Sequence, residues 1–291
     1  MRGTTHSASG AAAWVFVTMP KTYTDQLIPL EHVPHIPLAP GLVEVTIPAF
    51  FIGLILSHGS GMGPDVDHHN GTIAHSLPEI GPIPSPTQKM CQLIGKLSGG
   101  HRHFTHSLLG IALATLIAWA VSFIVVPFHG RDLAVGTGIF ALMLTAFSLK
   151  VLKIKSDNWI VMWGISLAMA FLTMWFFQDD LVQTLPLIVG LGALVHCLGD
   201  ALTVGGIAWF YPWRPKPPKF VQNSFLGKFW QSNGWFAFPI LGTTNTEKKR
   251  KLDREGVFNI ILNVYTVIFG ALTLWYLFSV HYLDQVPVWA V

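Results

Sequence analysis

Three short stretches hold the residues able to do chemistry. The first, GPDVDHHNG from Gly63 to Gly71, sets Asp65, Asp67, His68 and His69 within five residues. Pro64 and the two glycines make it a loop rather than a helix. Carboxylate oxygen beside imidazole nitrogen is a donor set for Zn²⁺, Mn²⁺ or Fe²⁺. The plain alternative is a capping Asp before a turn, with exposed histidines. The second, GGHRHFTHSLLG from Gly99 to Gly110, brings His101, Arg102, His103 and His106 to the mouth of an apolar run. A helix beginning near Thr105 or Ser107 would present its N-terminus to an anion. Thr105 can cap that helix, and the planar fork of Arg102 can pair with a phosphate or carboxylate. A polar collar at the membrane interface is the alternative. The third, HCLGD, places His196 and Asp200 four apart, on one face of a helix. An imidazole and a carboxylate inside an apolar span are costly unless they pair, bind metal or line a wet cavity. A His–Asp hydrogen bond locking two helices is the alternative there.

Composition says what must position these residues. The 291-residue chain is 51% hydrophobic and 11% charged, with a mean hydropathy of +0.50, against about 25% charged residues in soluble domains. An all-α polytopic membrane protein follows, with about seven transmembrane or membrane-embedded helices. Five apolar runs are long enough to span: Ser107–Pro127, Leu133–Leu152, Asn158–Phe177, Leu181–Leu202 and Phe258–Val280. Two shorter ones, Ser7–Pro20 and Leu42–Ser57, read as short or tilted spans or an interfacial hairpin. Threaded seven times from a cytoplasmic N-terminus, the chain keeps all but Lys21 and Arg131 of its 18 Lys and Arg in the cytoplasm, as the positive-inside rule requires. That topology gathers His6, the loop from Ser57 to His106 and the His196/Asp200 end of the sixth span on one cytoplasmic face. His32, His35, His129 and His281 fall outside, without paired acids.

The organisation expected is a single integral membrane domain, 1–291. It contains a site-bearing cytoplasmic loop at 58–106, a helix pair at 128–180 and a basic cytoplasmic loop at 204–257. YPWRPKPPKF, from Tyr211 to Phe220, is too proline-rich for a helix and reads as an interfacial belt with cations facing lipid phosphates. EKKRKLDRE, from Glu247 to Glu255, reads as a solvated topogenic cluster. The stretch after Arg2 and His6 lacks a convincing A-x-A site, so no cleaved secretory signal is expected. Cys91 and Cys197 are too few for a disulfide framework and read as reduced, small hydrophobes.

PDVDHH, GHRHFTHSLLG and HCLGDALTVGGIAWFYPWR resemble, in order and with internal spacing kept, the motifs of the YdjM-like family. These are bacterial inner-membrane proteins, some LexA-regulated, described as metal-dependent hydrolases and distantly similar to zinc-dependent phospholipases C. The resemblance covers about residues 1–20, 50–110 and 181–215, and His6 matches a histidine that the family carries near its first Met. It implies His6, Asp65, Asp67, His68, His101, His106, His196 and Asp200 as metal ligands. Arg102, Thr105, Ser107 and Thr203 match motif positions without an obvious ligand role. His103 stands where the family has Gly, the spans from Leu133 to Phe177 look inserted, and Glu247 in GTTNTE weakly matches a C-terminal element.

Eight ligands exceed what one tetrahedral ion takes, so a divalent-metal centre, zinc first and Mn or Fe next, is expected to hold up to two ions. Asp65 or Asp67 would bridge them, with the other acid as general base or as a partner that orients an imidazole. Arg102 would stabilise charge on a phosphoryl group. A site at the inner leaflet implies membrane lipids as neighbours and a phosphorylated lipid or lipid-linked substrate, with no nucleic-acid partner. A metal-binding transporter would need polar groups through the bilayer depth, and Leu133–Phe177 is nearly free of them. A scaffold with a structural metal would bind tightly without turnover.

Overall fold

The structure, a computed structural model, describes residues 1–20, 43, 45–79, 82–176, 178–241 and 253–280, the side chains of 176–183 excepted. His32, His35, His281, Glu247 and most of the basic cluster after it lie outside the described residues. The chain is mostly helical. The principal helices are α1 (Gly3–Thr18), α2 (Ile47–Ser60), α3 (Pro86–Leu97), α4 (Leu108–Ser122), α5 (Val135–Val151), α6 (Trp159–Phe176), α7 (Gln178–Ala201) and α9 (Arg254–Phe278), with a four-residue α8 at Lys219–Gln222. Within the described part of α7, Thr184–Ala201 is long and apolar enough to cross a membrane, as is the whole of α9; α2, α4, α5 and most of α6 are shorter apolar helices.

Local chemistry sets where the helices start. Thr46 caps α2 by accepting from Ala49 N, Ser85 caps α3 from Gln88 N, Ser107 caps α4 from Gly110 N and Asp253 caps α9 from Gly256 N. Each side-chain oxygen satisfies a backbone N–H that the first turn leaves orphaned. Pro48 and Pro86 occupy first-turn positions, where a missing N–H costs nothing. The apolar run after Ser107 does not stay helical to Pro127. It ends at Ser122, and Val126–Phe128 pairs antiparallel with Arg131–Leu133 as a hairpin, β1 and β2. Proline cannot continue a helix interior, so α4 could not have run on through Pro127.

Helix α1 packs on α2, α7 and α9; α2 also meets α5 and α7, and α4 lies along α7. The residues of α1 are buried nearly all round, Trp14 completely. Small residues let these backbones approach, the usual way apolar helices associate without a hydrophobic drive between them. A Cβ on Gly59 would strike the Leu144 carbonyl of α5, and one on Gly53 would strike the Trp14 indole. The indole Nε1 in turn donates to Phe50 O at 3.0 Å, and Ser60 Oγ donates to Ile188 O of α7 at 2.6 Å. α5 is part of this core, with Ala141, Leu144 and Phe147 buried among α1 and α2 residues. Cys91 and Cys197 are both free and buried, as their spacing implied.

Candidate metal centre

Four segments meet at one end of the α1–α2–α7 core. Past α2 the chain tightens into a 3₁₀ turn, Gly63–Asp67. The sequence suggested a plain loop there; Pro64 instead sits in the first turn of a short helix, a place its fixed φ suits. A second 3₁₀ turn, Phe104–His106, precedes α4. Ser107, not Thr105, caps α4, and that frees the Thr105 hydroxyl to donate to Asp67 Oδ2. The first turn of α1 brings His6, and the last turns of α7 bring His196 and Asp200.

His106 Nε2 lies 3.1 Å from His196 Nε2. Asp65 Oδ1 is 3.7 Å from the first and 3.6 Å from the second. Asp200 Oδ2 is 3.7 and 3.9 Å from the same two nitrogens. Tetrahedral bonds of about 2.0–2.2 Å put ligand atoms roughly 3.3–3.6 Å apart. Two nitrogens and two oxygens from three segments therefore stand close to the spacing that one small cation sets. His106, His196 and Asp200 are buried, and Asp65 is mostly so.

The outer nitrogens fix which lone pairs face inward. His196 Nδ1 lies 2.7 Å from the Gly61 carbonyl, an acceptor only, so Nδ1 carries the proton and Nε2 is bare. His106 Nδ1 faces Asp67 Oδ2 at 3.4 Å and Thr105 Oγ1 at 3.0 Å, and a proton directed from it at Asp67 leaves Nε2 as the position for either a second proton or a metal. Two lone pairs aimed at each other across 3.1 Å need a proton or a metal between them. Nearby, His6 stacks on His196 with ring centroids 3.6 Å apart, and its buried Nδ1 has no hydrogen-bond partner among the described residues. An orphaned imidazole nitrogen and converging lone pairs are what a missing cation would leave, so these residues fit a divalent metal.

The remaining polar groups hold those donors in place. Asp67 is buried; its Oδ1 takes His101 Nδ1 at 2.8 Å while its Oδ2 faces Thr105 and His106. Burial opposes its charge, but the hydrogen bonds from His101 and His106 outweigh it and keep the carboxyl well below the ordinary range. Burial likewise opposes ionisation of Asp65, and His196, His106 and His6 together overcome it. Asp200 Oδ1 is shared by the Met1 amino group at 2.6 Å, Arg102 Nη2 at 3.0 Å and His6 Nε2 at 3.2 Å.

Seven of the eight ligands that the resemblance implied fall into two adjoining groups, Asp65–Asp67–His101–His106 and His6–His196–Asp200. His68 belongs to neither; its ring stands edge-on to that of His101, 4.6 Å away. Arg102, whose fork the sequence offered to a phosphate or carboxylate, pairs with a carboxylate of the chain itself. Its backbone has φ of 64°, a left-handed conformation rare for a side chain this large, and the guanidinium turns inward to Asp200, Thr203 Oγ1 and the Gly206 carbonyl. Sequence reasoning missed Gly61, whose carbonyl orients His196; the run of small residues in SHGSG was its signal. Of the outlying histidines, His129 is exposed at the β1–β2 turn.

Two outcomes follow. Burial disfavours a charged His106, but the carboxylates of Asp65 and Asp67 outweigh it and raise its pKa to about 9. A metal must displace that proton, so affinity for Zn²⁺ is expected to rise about tenfold per pH unit between pH 7 and 9 and then level off. Competition titrations against a chelator at stepped pH measure the slope. Asp67→Asn keeps the shape but loses the charge that orients His101 and His106. Metal affinity should fall roughly 10–100-fold, as for other groups that support a ligand, with the fold kept by thermal melting.

A family model for YdjM inner membrane protein matches residues 1–152 and 158–282. No curated protein and no solved structure matches the chain significantly. With nearly its whole length matched, the chain belongs to the YdjM inner membrane protein family.

Proposed function

We propose that this protein is a membrane-bound, metal-dependent hydrolase of a phosphoester, lipid or lipid-linked, whose site faces the cytoplasm. The observation that carries it is the convergence of His106 Nε2 and His196 Nε2, 3.1 Å apart and each within 3.9 Å of a carboxylate oxygen of both Asp65 and Asp200, from distant parts of the chain. These four would hold one ion, with zinc first on donor type and Mn or Fe next. When bound, such an ion lowers the pKa of a water and polarises a phosphoryl oxygen.

The chain's own residues would do the rest. Asp67 holds His101 through Nδ1, and His101 is 34% exposed while His106 and His196 are sealed. His101 is therefore placed to pass a proton between the site and solvent at its other nitrogen, Nε2, with Asp67 stabilising the imidazolium, as in other carboxylate–histidine pairs. Arg102 positions Asp200 by holding Oδ1, which leaves Oδ2 turned toward the imidazoles. His6, whose Nδ1 has no hydrogen-bond partner among the described residues, is the residue on which a second ion would depend.

The cytoplasmic assignment rests on the distribution of Lys and Arg, and the lipid substrate on the site's place at the end of α7, a helix able to span. The test is hydrolysis of phosphodiester and phosphomonoester substrates by protein purified in detergent and loaded with Zn²⁺ or Mn²⁺. Activity that is abolished by chelation, restored by metal and reduced at least 100-fold in His101→Ala supports the reading. Metal bound at the site with no turnover of any phosphoester points to a structural ion instead.

A further inference from the structure

Between the two helices able to span, α7 and α9, lies a segment that supplies no candidate metal ligand. From Ala201 to Thr246 it contains Arg214, Lys216, Lys219 and Lys228 and no Asp or Glu. All four cations are exposed. Beside them stand large apolar side chains that the other described residues leave open: Trp213 is 73% exposed, Phe220 77% and Phe225 68%. A soluble surface rarely shows such side chains clustered.

The segment is anchored where α7 ends. Phe238 N donates to Ala201 O at 2.5 Å, Leu241 N donates to Leu202 O at 3.1 Å, and Ile207 pairs with Phe236. A chain that leaves the end of one apolar helix, returns to that same end and then leads into the next lies at the level where those helices leave the bilayer. Cations and aromatics alternate along it. Arg214 sits over the Tyr211 ring at 5.3 Å and Lys228 over Phe225 at 5.6 Å. A shallow, open depression lined by Phe210, Trp213, Arg214 and Pro215 sets one guanidinium among apolar side chains. Exposed aromatics beside cations suit the interface of a bilayer, where rings sit at headgroup level and cations meet phosphates.

We infer that residues 209–241 form a platform that docks on the anionic headgroups of the bilayer. Charge decides against a neutral surface or a second copy of the same patch, since four like charges facing four would repel. The platform also touches the site loop. His103, which replaces the family's Gly, sits edge-on to both Tyr211 and Trp235, 5.4 Å from each, and Arg102 reaches the Gly206 carbonyl. Docking therefore holds the metal-site loop at headgroup depth, and it stands whether or not the site hydrolyses anything.

The test uses the full chain in nanodiscs of phosphatidylcholine, with or without phosphatidylglycerol, followed by hydrogen exchange. Amides of 213–228 should exchange at least tenfold more slowly in the anionic discs, and high salt should erase the difference. The combined variant R214Q/K216Q/K219Q/K228Q should lose it as well, while α9 keeps its wild-type protection as the control for folding. Equal exchange in both disc types overturns the proposal, as does protection that appears only when two copies share one disc.

Discussion

His196→Ala is expected to abolish stoichiometric metal binding and to lower any hydrolytic rate by far more than 100-fold. The side chain does two jobs at once. Its Nε2 supplies a donor 3.1 Å from His106 Nε2, and its Nδ1 ties α7 to the Gly61 carbonyl at 2.7 Å. Removing a group that merely supports a ligand costs about 10–100-fold in metal affinity, and a direct ligand exceeds that. Neighbouring His6 stacks on this ring and is tied through Nε2 to Asp200, which leaves only its Nδ1 as a substitute donor. His196→Gln is the informative companion. It keeps an amide that can donate to Gly61 O, so its fold should approach wild type while its metal does not return. Metal analysis of the purified variants, with thermal melting alongside, separates lost binding from lost structure.

Gly61→Ala is the second large effect, at a residue that supplies no metal-binding side chain. Gly61 has φ of −58° and ψ of −14°, which alanine adopts freely. The damage is purely steric. An added Cβ would collide with the His6 carbonyl oxygen and sit 3.4 Å from Gly10 Cα, backbone atoms that cannot rotate away. α1 must retreat from α2, and His6 moves with it; the Gly61 carbonyl shifts under His196 in the same step. Overpacking of this kind costs about 1–3 kcal/mol. The expected result is a lower melting temperature together with weaker metal binding. Gly164→Ala, where a Cβ would meet nothing, serves as the neutral control.

These effects show what the sequence makes legible. His196 and Asp200 share a face because a helix repeats every 3.6 residues, and that spacing alone brings them together. Each of the seven apolar runs falls on a helix, but α3 and α8 lie outside them, and among the described residues only α7 and α9 are long and apolar enough to cross a membrane. The helix ends were less readable, as Pro127 shows, since a run of apolar residues carries no sign of where hairpin pairing begins. Side-chain direction within the loops was not readable at all. Arg102 faces Asp200 because its backbone is left-handed, and Asp67 faces His101 and Thr105 because a 3₁₀ turn rather than an open loop carries it. Such choices are set by tertiary contacts between segments far apart in the chain. His68 illustrates the same limit, with a ligand's residue type and spacing but a place beside His101 at the rim.

The central claim is that His106, His196, Asp65 and Asp200 share one cation. X-ray absorption at the metal edge, on protein purified from membranes without added metal, tests it most directly. A first shell of two imidazole nitrogens and two or more oxygens at about 2.0–2.2 Å, reduced by one imidazole in His196→Gln after forced loading, is the result expected. A wild-type protein that retains no metal at any pH up to 9, or one whose metal shows no imidazole scattering, would contradict it.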